Sequence, residues 1–373
     1  MHVPFLDLPS HIKPFQKDLE RAFHKSLENA SFVMGHEVEE FEKKFARYCG
    51  AKYCVAVNSG TAALHVALLA HGIGPGDEVM TQPNTFIATA EAISYAGAKP
   101  VFVDVDEKTA QMRIEQIERV ITKRTKAIIP VHLFGSAANL PALRAIARKH
   151  RITIIEDACQ AHGVRYNGKR IGGWGNTTCF SFYPSKVLGT IGEGGAIVTS
   201  DKKLWKKMYM LRNHGQQNKN AHEIIGYNWR MQELQGTALG MMLPHSEAWV
   251  RARRKLGMLY GKLLADMHPH VVPMEIPSSI KPNFYVYLIR CQKRDALMRF
   301  LAQHGIGTQI YYPTPIHLQG AYREKKHHLG AFPAAEQLAR ASLALPIYPE
   351  LRDAQVRYVV ATIKKFYEAT TME

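Results

Sequence analysis

The stretch from about residue 50 to residue 200 alternates short β-rich runs with segments whose apolar residues recur at helical spacing. No other feature constrains the fold as strongly, because this alternation predicts a mainly parallel sheet covered by helices on both faces. The predicted strands are Tyr53–Val57, Glu78–Thr81, Pro100–Val105, Ala127–Val131 and Thr153–Glu156. The predicted helices are Gly60–His71, Ile87–Ala96, Ile114–Ile121 and Leu140–His150. Two further strands are predicted at Thr178–Phe182 and Ala196–Thr199, and we expect one of them to run antiparallel because little chain separates them.

The pattern changes from about Arg230 onward. A long helical stretch, Arg230 to Met267, is interrupted at Pro244, because proline cannot continue the hydrogen bonding of a helix. The later predicted elements are strands at Tyr285–Cys291 and Thr308–Tyr311 and helices at Asp295–His304, Pro333–Ala341 and Asp353–Ala369. Together they predict a smaller α+β unit at the C-terminal end of the chain.

The chain of 373 residues is long enough to bury a large core. None of its apolar runs reaches the roughly 18 residues that a membrane span needs. The opening residues, MHVPFLDLPSHIKPF, lack a basic segment followed by a long apolar one, so no signal peptide is expected. We therefore expect a cytoplasmic protein.

Five cysteines are present, an odd number, and no pair has CxxC spacing. They are Cys49, Cys54, Cys159, Cys179 and Cys291. This usage argues against a disulfide framework and against a zinc site. We expect buried free thiols and no bound metal.

The chain carries 48 lysines and arginines against 32 acidic residues, a formal net charge of +16. Such a balance is compatible with nucleic-acid binding, with an anionic small substrate, or with a proteome rich in lysine and arginine. The basic residues form no single tract, and no helix-turn-helix or RNA-binding motif accompanies them. We therefore do not expect nucleic acid as a functional partner.

A first candidate binding element is the segment NSGTAAL, in which a predicted strand ends and a helix begins. Ser59 and Thr61 can donate hydroxyl hydrogen bonds, and Gly60 lets an oxyanion approach the backbone. Because the free N–H groups at a helix start point the same way, this turn could hold a phosphate. The alternative is a serine or threonine that simply caps the helix.

A second candidate element is IIEDACQAHG, where an apolar strand ends in Glu156 and Asp157. Open α/β sheets bind ligands at the carboxyl ends of their strands. A carboxylate there can pair with a protonated heterocyclic nitrogen, which pyridoxal phosphate requires to act as an electron sink. Gln160 lies three residues further on and could bond a ring substituent. The alternative for Asp157 is an N-cap of the following segment.

The third element, TCFSFYPSK, takes an apolar strand into a loop that contains Lys186. A desolvated lysine amine becomes nucleophilic toward a carbonyl. We interpret the glycines that follow as leaving room for a bulky ring; they are Gly189, Gly192, Gly194 and Gly195. The alternative is an exposed loop lysine, which is the commoner fate of a lysine.

The combination of these elements carries more weight than any one of them. A phosphate-binding turn, an acid 29 residues before a lysine, and a serine five residues before that lysine occur in one predicted α/β domain. They supply the parts that a pyridoxal-phosphate site requires.

On these residues the chain resembles the DegT-type sugar aminotransferases, a branch of the fold type I pyridoxal-phosphate enzymes. The resemblance runs almost from end to end, through PFLDL, NSGTAAL, GPGDEV, TFIATAEAI, GAKPVFVDVD, TKAIIPVHLFG, IIEDACQAHG, FSFYPSK, GEGGAIVTSD, RNHG, GYNWRMQELQ, YYPTPIHLQ and SLALPIYPEL. It implies a mainly parallel seven-stranded sheet between helices in a large domain, residues 1–245 with an N-terminal arm. A small α+β domain, residues 246–373, would follow.

The resemblance also implies roles for matching residues. Lys186 would hold the cofactor as a Schiff base and then carry the proton between carbon and nitrogen. The remaining cofactor contacts would come from Ser59, Gly60, Thr61 and Ser181 at the phosphate, Asp157 at the ring nitrogen, Gln160 at the ring hydroxyl, Phe86 stacked on the ring, and Asn228, which would reach the phosphate in a neighbouring subunit. Substrate contacts would come from Tyr183, Arg230, Tyr311 and His317. A homodimer with shared active sites is therefore expected.

The implied reaction moves an amino group from L-glutamate to a nucleotide-linked keto-sugar, with pyridoxamine phosphate as the amine form of the cofactor. Similarity favours a 3-keto over a 4-keto sugar, linked to UDP or dTDP, in the synthesis of amino sugars for a surface polysaccharide or related glycan. Two positions depart from the usual pattern: Cys159 replaces alanine, and Glu193 stands where aspartate is common. A dehydratase branch carries histidine in place of the lysine, so Lys186 favours transamination.

Two alternatives remain. One is a different reaction on the same cofactor: a dehydratase, a lyase, or a desulfurase, although the last needs a mobile reactive cysteine. The other is a relative without catalysis that regulates or binds nucleic acid, which the +16 charge permits. The intact set of Asp157, Gln160, Ser181 and Lys186 argues against the second alternative.

Overall fold

The structure is a computed structural model that describes residues 1–218, 220–324 and 327–371. Its helices are α1 (Leu8–Ile12), α2 (Gln16–Glu28), α3 (His36–Cys49), α4 (Gly60–Ala70), α5 (Ala88–Tyr95), α6 (Ile114–Val120), α7 (Leu140–His150), α8 (Lys202–Arg212), α9 (Glu233–Met242), α10 (Ser246–Leu263), α11 (Arg294–Gln303), α12 (Pro333–Ala341) and α13 (Asp353–Thr371). Its strands are β1 (Tyr53–Val57), β2 (Glu78–Thr81), β3 (Lys99–Phe102), β4 (Thr125–Ile128), β5 (Thr153–Asp157), β6 (Arg165–Tyr166), β7 (Lys169–Arg170), β8 (Thr177–Ser181), β9 (Gly195–Thr199), β10 (Gln216–Asn218), β11 (Ala221–His222), β12 (Val271–Pro273), β13 (Ile280–Lys281), β14 (Tyr287–Cys291) and β15 (Ser342–Leu345).

The central sheet has seven strands in the order β1-β9-β8-β5-β4-β2-β3. Its neighbours from β8 to β3 pair in parallel, whereas β9 pairs antiparallel with both β8 and β1. The mainly parallel seven-stranded sheet is therefore confirmed, and β9 is the expected antiparallel strand. Because β1 and β8 both oppose β9, their carboxyl ends lie at the same edge of the sheet as the end of β5.

Side chains alternate between two hydrophobic clusters on the two faces of this sheet. Cys54 and Ala56 of β1 pack in one cluster with α3, while Val55 and Val57 pack in the other with α4. This period of two places alternate residues of a buried strand on opposite faces. The sheet is thus covered by helices on both sides, as the alternating sequence predicted.

A further hydrophobic cluster is built mainly from the C-terminal part of the chain. It joins α10 and α13 to the three-stranded antiparallel sheet β12-β14-β15. Val3 is buried in the same cluster and pairs with Ile306, so the N-terminal residues pack against this C-terminal unit. The division of the chain at residues 245 and 246 stays a prediction.

Most predicted elements lie within a few residues of the observed ones, but the strand predicted at Thr308–Tyr311 is wrong. Within that segment, Gln309 pairs with Ala344 in an isolated bridge outside the strands. The segment instead leaves the sheet to line a cavity and then meets Pro313 and Pro315, which have no N–H to donate to a strand. The helical stretch predicted from Arg230 begins at Glu233 and is interrupted by the turn Leu243–His245 that contains Pro244.

Among the described residues, the helices include none that is both long and apolar enough to cross a membrane.

A buried ion pair joins α3, β1 and α8. Arg212 is fully buried and donates from Nη1 to Glu42 Oε1 and, at 2.6 Å, to the carbonyl of Ala56. The same Glu42 oxygen accepts from the N–H of Ala56 at 2.7 Å. Because Arg212 O accepts from the N–H of Trp229 at 3.0 Å, this pair also fixes the chain that leads to Arg230.

We expect Glu42→Gln to lower the free energy of unfolding by about 3–5 kcal/mol, because it leaves the buried Arg212 guanidinium without a counter-charge. Urea denaturation would measure the change. Glu40→Gln on the same helix is the matched control: its partner Lys43 is well exposed, so stability should hardly change. Equal effects of the two substitutions would contradict the assigned role of the buried pair.

Candidate active site

The carboxyl ends of β1, β5 and β8 bring the three predicted binding elements to one cavity of about 590 Å³. Ser59, Gly60 and Thr61 follow β1, and Asp157 and Ser181 are the last residues of β5 and β8. The lining also includes Phe86, Thr89, Cys159, Gln160, Tyr183, Ser185, Lys186, Glu193, Tyr285, Tyr311 and Tyr312. Ligand sites of open α/β sheets lie at this edge.

The turn before α4 presents helix N–H groups to the cavity. Ser59 is the N-cap of α4: its Oγ accepts from the N–H of Ala62 at 3.1 Å, and its carbonyl accepts from the N–H of Ala63 at 3.0 Å. The N–H groups of Gly60 and Thr61 precede these bonds, so the helix itself does not satisfy them. Ser59 therefore caps the helix as the alternative reading proposed, yet its hydroxyl proton can still be donated to an anion.

Two glycines allow the turn before α4 to pack directly on the sheet. A Cβ on Gly60 would lie 2.7 Å from Ser181 Cβ, and a Cβ on Gly195 would lie 2.2 Å from the Ser59 carbonyl oxygen. A Cβ on Gly189 would likewise lie 2.5 Å from the carbonyl oxygen of Pro184. The expectation that Gly189 and Gly195 leave room for a ring is thus wrong, because protein backbone occupies the space beside them.

Asp157 is buried at the floor of the cavity and held by two donors. Its Oδ2 accepts from Thr89 Oγ1 at 2.8 Å, and its Oδ1 accepts from the N–H of Cys159 at 3.1 Å. Thr85 Oγ1 lies 3.2 Å from Thr89 Oγ1 and extends this chain of hydroxyl groups. Two donors leave further lone pairs of the carboxylate for a ligand. Thr89 was not predicted, because it sits on α5, far from Asp157 in sequence.

Gln160 is fixed by contacts at both ends of its amide. Its Oε1 accepts from the N–H of Phe134 at 2.7 Å, and its Nε2 donates to the hydroxyl of Tyr312 at 3.0 Å. The Gln160 side chain is buried, and these two contacts fix the orientation of its amide. The second N–H of Nε2 is left for a ligand in the cavity. Tyr312 was also missed from sequence, since it follows the segment that was predicted as a strand.

Lys186 lies on the loop after β8, partly buried, with its backbone N–H donating to the carbonyl of Tyr183 at 2.8 Å. Its Nζ lies 4.7 Å from the centre of the Tyr285 ring. Burial raises the pKa of Tyr285, but the Lys186 charge and the hydroxyls of Ser185 and Tyr311 lower it by more. The net pKa therefore lies below the usual value. The lysine is thus not a solvated surface residue.

The aromatic residues predicted for ring stacking and substrate contact lie around this cavity. Phe86 is 56% exposed, and its ring centre lies 6.1 Å from that of Tyr312. Tyr183 is also exposed, while Tyr311 stacks on Phe5. The structure thus places Phe86, Tyr183 and Tyr311 at the cavity, and their contacts with a ring or a substrate stay predictions.

Asn228 and Arg230 line a second cavity of about 310 Å³, together with Val33, Asn58, Glu193, Gln232 and Gln235. Arg230 Nε donates to Asn228 Oδ1 at 2.9 Å. Neither residue lines the cavity that contains Lys186, whereas Glu193 lines both cavities. Within one chain, then, the structure does not bring Asn228 and Arg230 to the predicted cofactor phosphate or substrate.

His317 lies outside the set of residues that line the cavity of Lys186. Its side chain is fully buried, with Nε2 3.1 Å from Glu336 Oε1 and its ring centre 4.7 Å from that of Phe332. Glu336 also accepts from the N–H groups of Gly330 and Phe332. Through Glu336, His317 holds the loop before α12, and its predicted contact with substrate stays a prediction.

The groups around the first cavity fit pyridoxal phosphate. The start of α4 offers N–H groups and hydroxyls to a phosphate, and buried Asp157 offers a carboxylate to a ring nitrogen. Lys186 supplies an amine on the same cavity wall. Of the five free cysteines, only Cys159 lines this cavity; the other four are buried.

Comparison with known proteins points to one family. The model of the DegT/DnrJ/EryC1/StrS aminotransferase family matches residues 14–364. A pleiotropic regulatory protein of Geobacillus stearothermophilus is 42% identical over 98% of this chain and 99% of its own. A UDP-N-acetyl-3-dehydro-alpha-D-glucosamine 3-aminotransferase of Acidithiobacillus ferrooxidans is 41% identical over 97% of both chains.

Solved structures show the same similarity in three dimensions. The crystal structure of DesV from S. venezuelae in complex with a ketimine intermediate superposes with a TM-score of 0.96, at 40% identity over 98% of both chains. The crystal structure of NtdA from Bacillus subtilis, with bound cofactor PMP, superposes with a TM-score of 0.90 at 30% identity. That match covers 97% of this chain and 85% of NtdA.

We expect Thr89→Val to weaken binding of pyridoxal phosphate by about 10- to 100-fold, because a hydrogen bond to a buried carboxylate contributes roughly 1.5–3 kcal/mol. The bond lost is the one from Thr89 Oγ1 to Asp157 Oδ2. Absorbance titration of cofactor-free protein would measure the affinity. Thr89→Ser keeps the hydroxyl and should bind nearly as the wild type; equal loss in both variants would argue against the bond to Asp157.

Proposed function

Because the chain belongs to the DegT/DnrJ/EryC1/StrS aminotransferase family, whose cofactor is pyridoxal phosphate, we propose that it transfers the amino group of L-glutamate to a nucleotide-linked keto-sugar. The observation that carries this proposal is the convergence of Lys186, Asp157 and the start of α4 on one cavity. Each of the three matches one chemical group of the cofactor: carbonyl, ring nitrogen and phosphate.

When bound, the cofactor supplies a carbonyl that holds the amino group between the two substrates and a ring that withdraws electrons. Ser59, Gly60, Thr61 and Ser181 would bind its phosphate, since they surround the start of α4. Asp157 would hold the proton on the ring nitrogen, with Thr89 fixing the carboxylate.

Gln160 and Phe86 would orient the ring, one from the buried wall and one from the exposed rim. Lys186 would bind the carbonyl carbon and then act as general base and general acid on the substrate carbon. Tyr183 and Tyr311 both line the cavity and would limit the access of water to the lysine amine. Arg230 would approach the substrate from a neighbouring subunit.

For the acceptor we propose a 3-keto sugar linked to UDP or dTDP, used for amino sugars of a surface polysaccharide or related glycan. The 3-keto assignment is supported by the name of the Acidithiobacillus relative, which acts on a 3-dehydro sugar. We place the reaction in the cytoplasm, where glutamate and nucleotide sugars are made.

A regulatory role is the second candidate, because the Geobacillus relative carries a regulatory name. The two candidates differ in one observable property: an enzyme must turn over at Lys186, whereas a regulator need not. Dehydration on the same cofactor is disfavoured by the presence of a lysine at position 186.

We also propose a homodimer with shared active sites. Four large apolar side chains near the N-terminus are about half exposed: Phe23, Leu27, Phe32 and Val33. Val33 lines the cavity of Asn228 and Arg230, so this apolar surface adjoins the two residues that lie outside the Lys186 cavity. A second copy covering the surface would receive Asn228 and Arg230 at its own site.

Lys186→Ala and Lys186→Arg should retain cofactor binding but lose turnover by about 10²–10⁴-fold or more, because no other group would bind the carbonyl and carry the proton. The assay is a screen of UDP- and dTDP-linked 3-keto and 4-keto sugars, generated in situ, with glutamate as donor. The wild type should be yellow, and borohydride should abolish its absorbance band. Normal turnover by either variant would refute the role of Lys186.

Phe32→Asp should convert the dimer to a monomer and reduce activity, because a charge cannot be buried unpaired at an apolar interface. Light scattering coupled to size exclusion would measure the mass. Met258→Asp is the matched control, since Met258 is 66% exposed on α10 and is not one of the four side chains of the proposed interface. A dimer that withstands Phe32→Asp would contradict the proposed interface.

A further inference from the structure

Tyr285 brings a titratable group to Lys186 from the C-terminal part of the chain. The Lys186 Nζ lies 4.7 Å from the Tyr285 ring centre, and the Tyr285 hydroxyl lies 3.4 Å from Ser185 Oγ. Both Tyr285 and Lys186 line the cavity and are partly buried. A phenol thus faces the amine on which the proposed reaction depends.

The backbone of Tyr285 is held in place from several sides. Its N–H donates to Asn283 Oδ1 at 2.8 Å, and Arg253 Nη1 donates to its carbonyl at 3.4 Å. Asn283 Nδ2 in turn donates to the carbonyls of Gln160 and His162, each at 2.9 Å. These bonds tie Tyr285 to the loop that follows Asp157, so the phenol keeps its position relative to the cofactor-binding groups.

The groups around Tyr285 lower the pKa of its phenol. Burial raises its pKa, while the Lys186 charge, the Ser185 hydroxyl and the Tyr311 hydroxyl lower it, and the net pKa lies below its ordinary value. The neighbouring Tyr311 and Tyr312 have a raised pKa, mainly through burial, and stay neutral beside it. Arg253 contacts Tyr285 through the carbonyl group.

We propose that Tyr285 exchanges a proton with Lys186. The Tyr285 phenolate oxygen takes a proton from the Lys186 ammonium: one N–H bond breaks, one O–H bond forms, and a neutral amine and a neutral phenol result. The reverse transfer restores the ammonium. The flexible four-carbon stem of lysine lets Nζ move from the ring face to the hydroxyl without backbone movement.

This exchange would give Lys186 the free electron pair that attack on a carbonyl requires. The inference rests on the proposed role of Lys186 in binding the cofactor. The other acids lining the cavity are less suited to the exchange: Asp157 is engaged by Thr89 and the N–H of Cys159, and Glu193 is exposed between the two cavities.

The pairing itself can be measured in the full-length protein freed of cofactor. Subtracting the phenolate absorbance of Tyr285→Phe from that of the wild type isolates the titration of Tyr285. We expect it below the usual tyrosine pKa of about 10, and we expect Lys186→Met to move it upward, because burial then dominates. An unchanged titration in Lys186→Met, or one at or above the usual value in the wild type, would overturn the proposal.

The exchange is tested by stopped-flow capture of pyridoxal phosphate. Tyr285→Phe, which keeps the ring over Nζ, should slow capture by about 10²-fold at neutral pH. The deficit should shrink as the pH rises and hydroxide removes the proton instead. Tyr287→Phe is the matched control, since Tyr287 is buried against Tyr260 in the C-terminal cluster and its loss should leave capture unchanged.

The outcomes separate this inference from the proposed function. Fast capture by Tyr285→Phe with slow capture by Tyr285→Leu would show that the ring only packs against the lysine, and would overturn the exchange alone. A wild-type protein that captures no pyridoxal phosphate would overturn the proposed function together with the exchange. Slow capture by Tyr285→Phe at a normal final occupancy would support the exchange.

Discussion

The close approach of the turn before α4 to strands β8 and β9 is the contact on which the rest of the site depends. Gly60 lies against Ser181 and Gly195 against the Ser59 carbonyl, at distances that leave no space for a Cβ. Any side chain there would push the start of α4 away from the end of β8. The N–H groups at the start of α4 and the Lys186 loop share one cavity because both segments rest on this packing.

A second layer of contacts fixes the chemical groups that the sheet assembles. Thr89 holds Asp157, Tyr312 holds Gln160, and the ring of Tyr285 lies against Lys186. These partners come from α5 and from the C-terminal part of the chain. The proposed site therefore consists of residues at the edge of the central sheet and residues from the C-terminal part of the chain. Tyr285 and Lys186 are in contact where these two parts meet.

Sequence patterns could predict the central sheet because each element is local. The strand β1 and the helices α7 and α12 were placed at their observed bounds, since apolar periodicity, capping residues and proline act over a few positions. The segment Thr308–Tyr311 could not be predicted in this way. It has the composition of a strand, but its fate depends on whether a neighbouring edge is available, and it lines the cavity instead.

The sequence by itself determined the order of the candidate binding elements. Through the motifs around Lys186, Asp157 and Ser59–Thr61 it also determined the family to which the chain belongs. Parallel strands bring their carboxyl ends to one edge of the sheet, so motifs that follow those strands necessarily lie close together. Tertiary structure alone decided that His317 turns into the core and that Asn228 and Arg230 line a separate cavity. It also decided that Tyr285 faces Lys186, because contacts between residues 99 apart depend on packing, which no spacing in the sequence encodes.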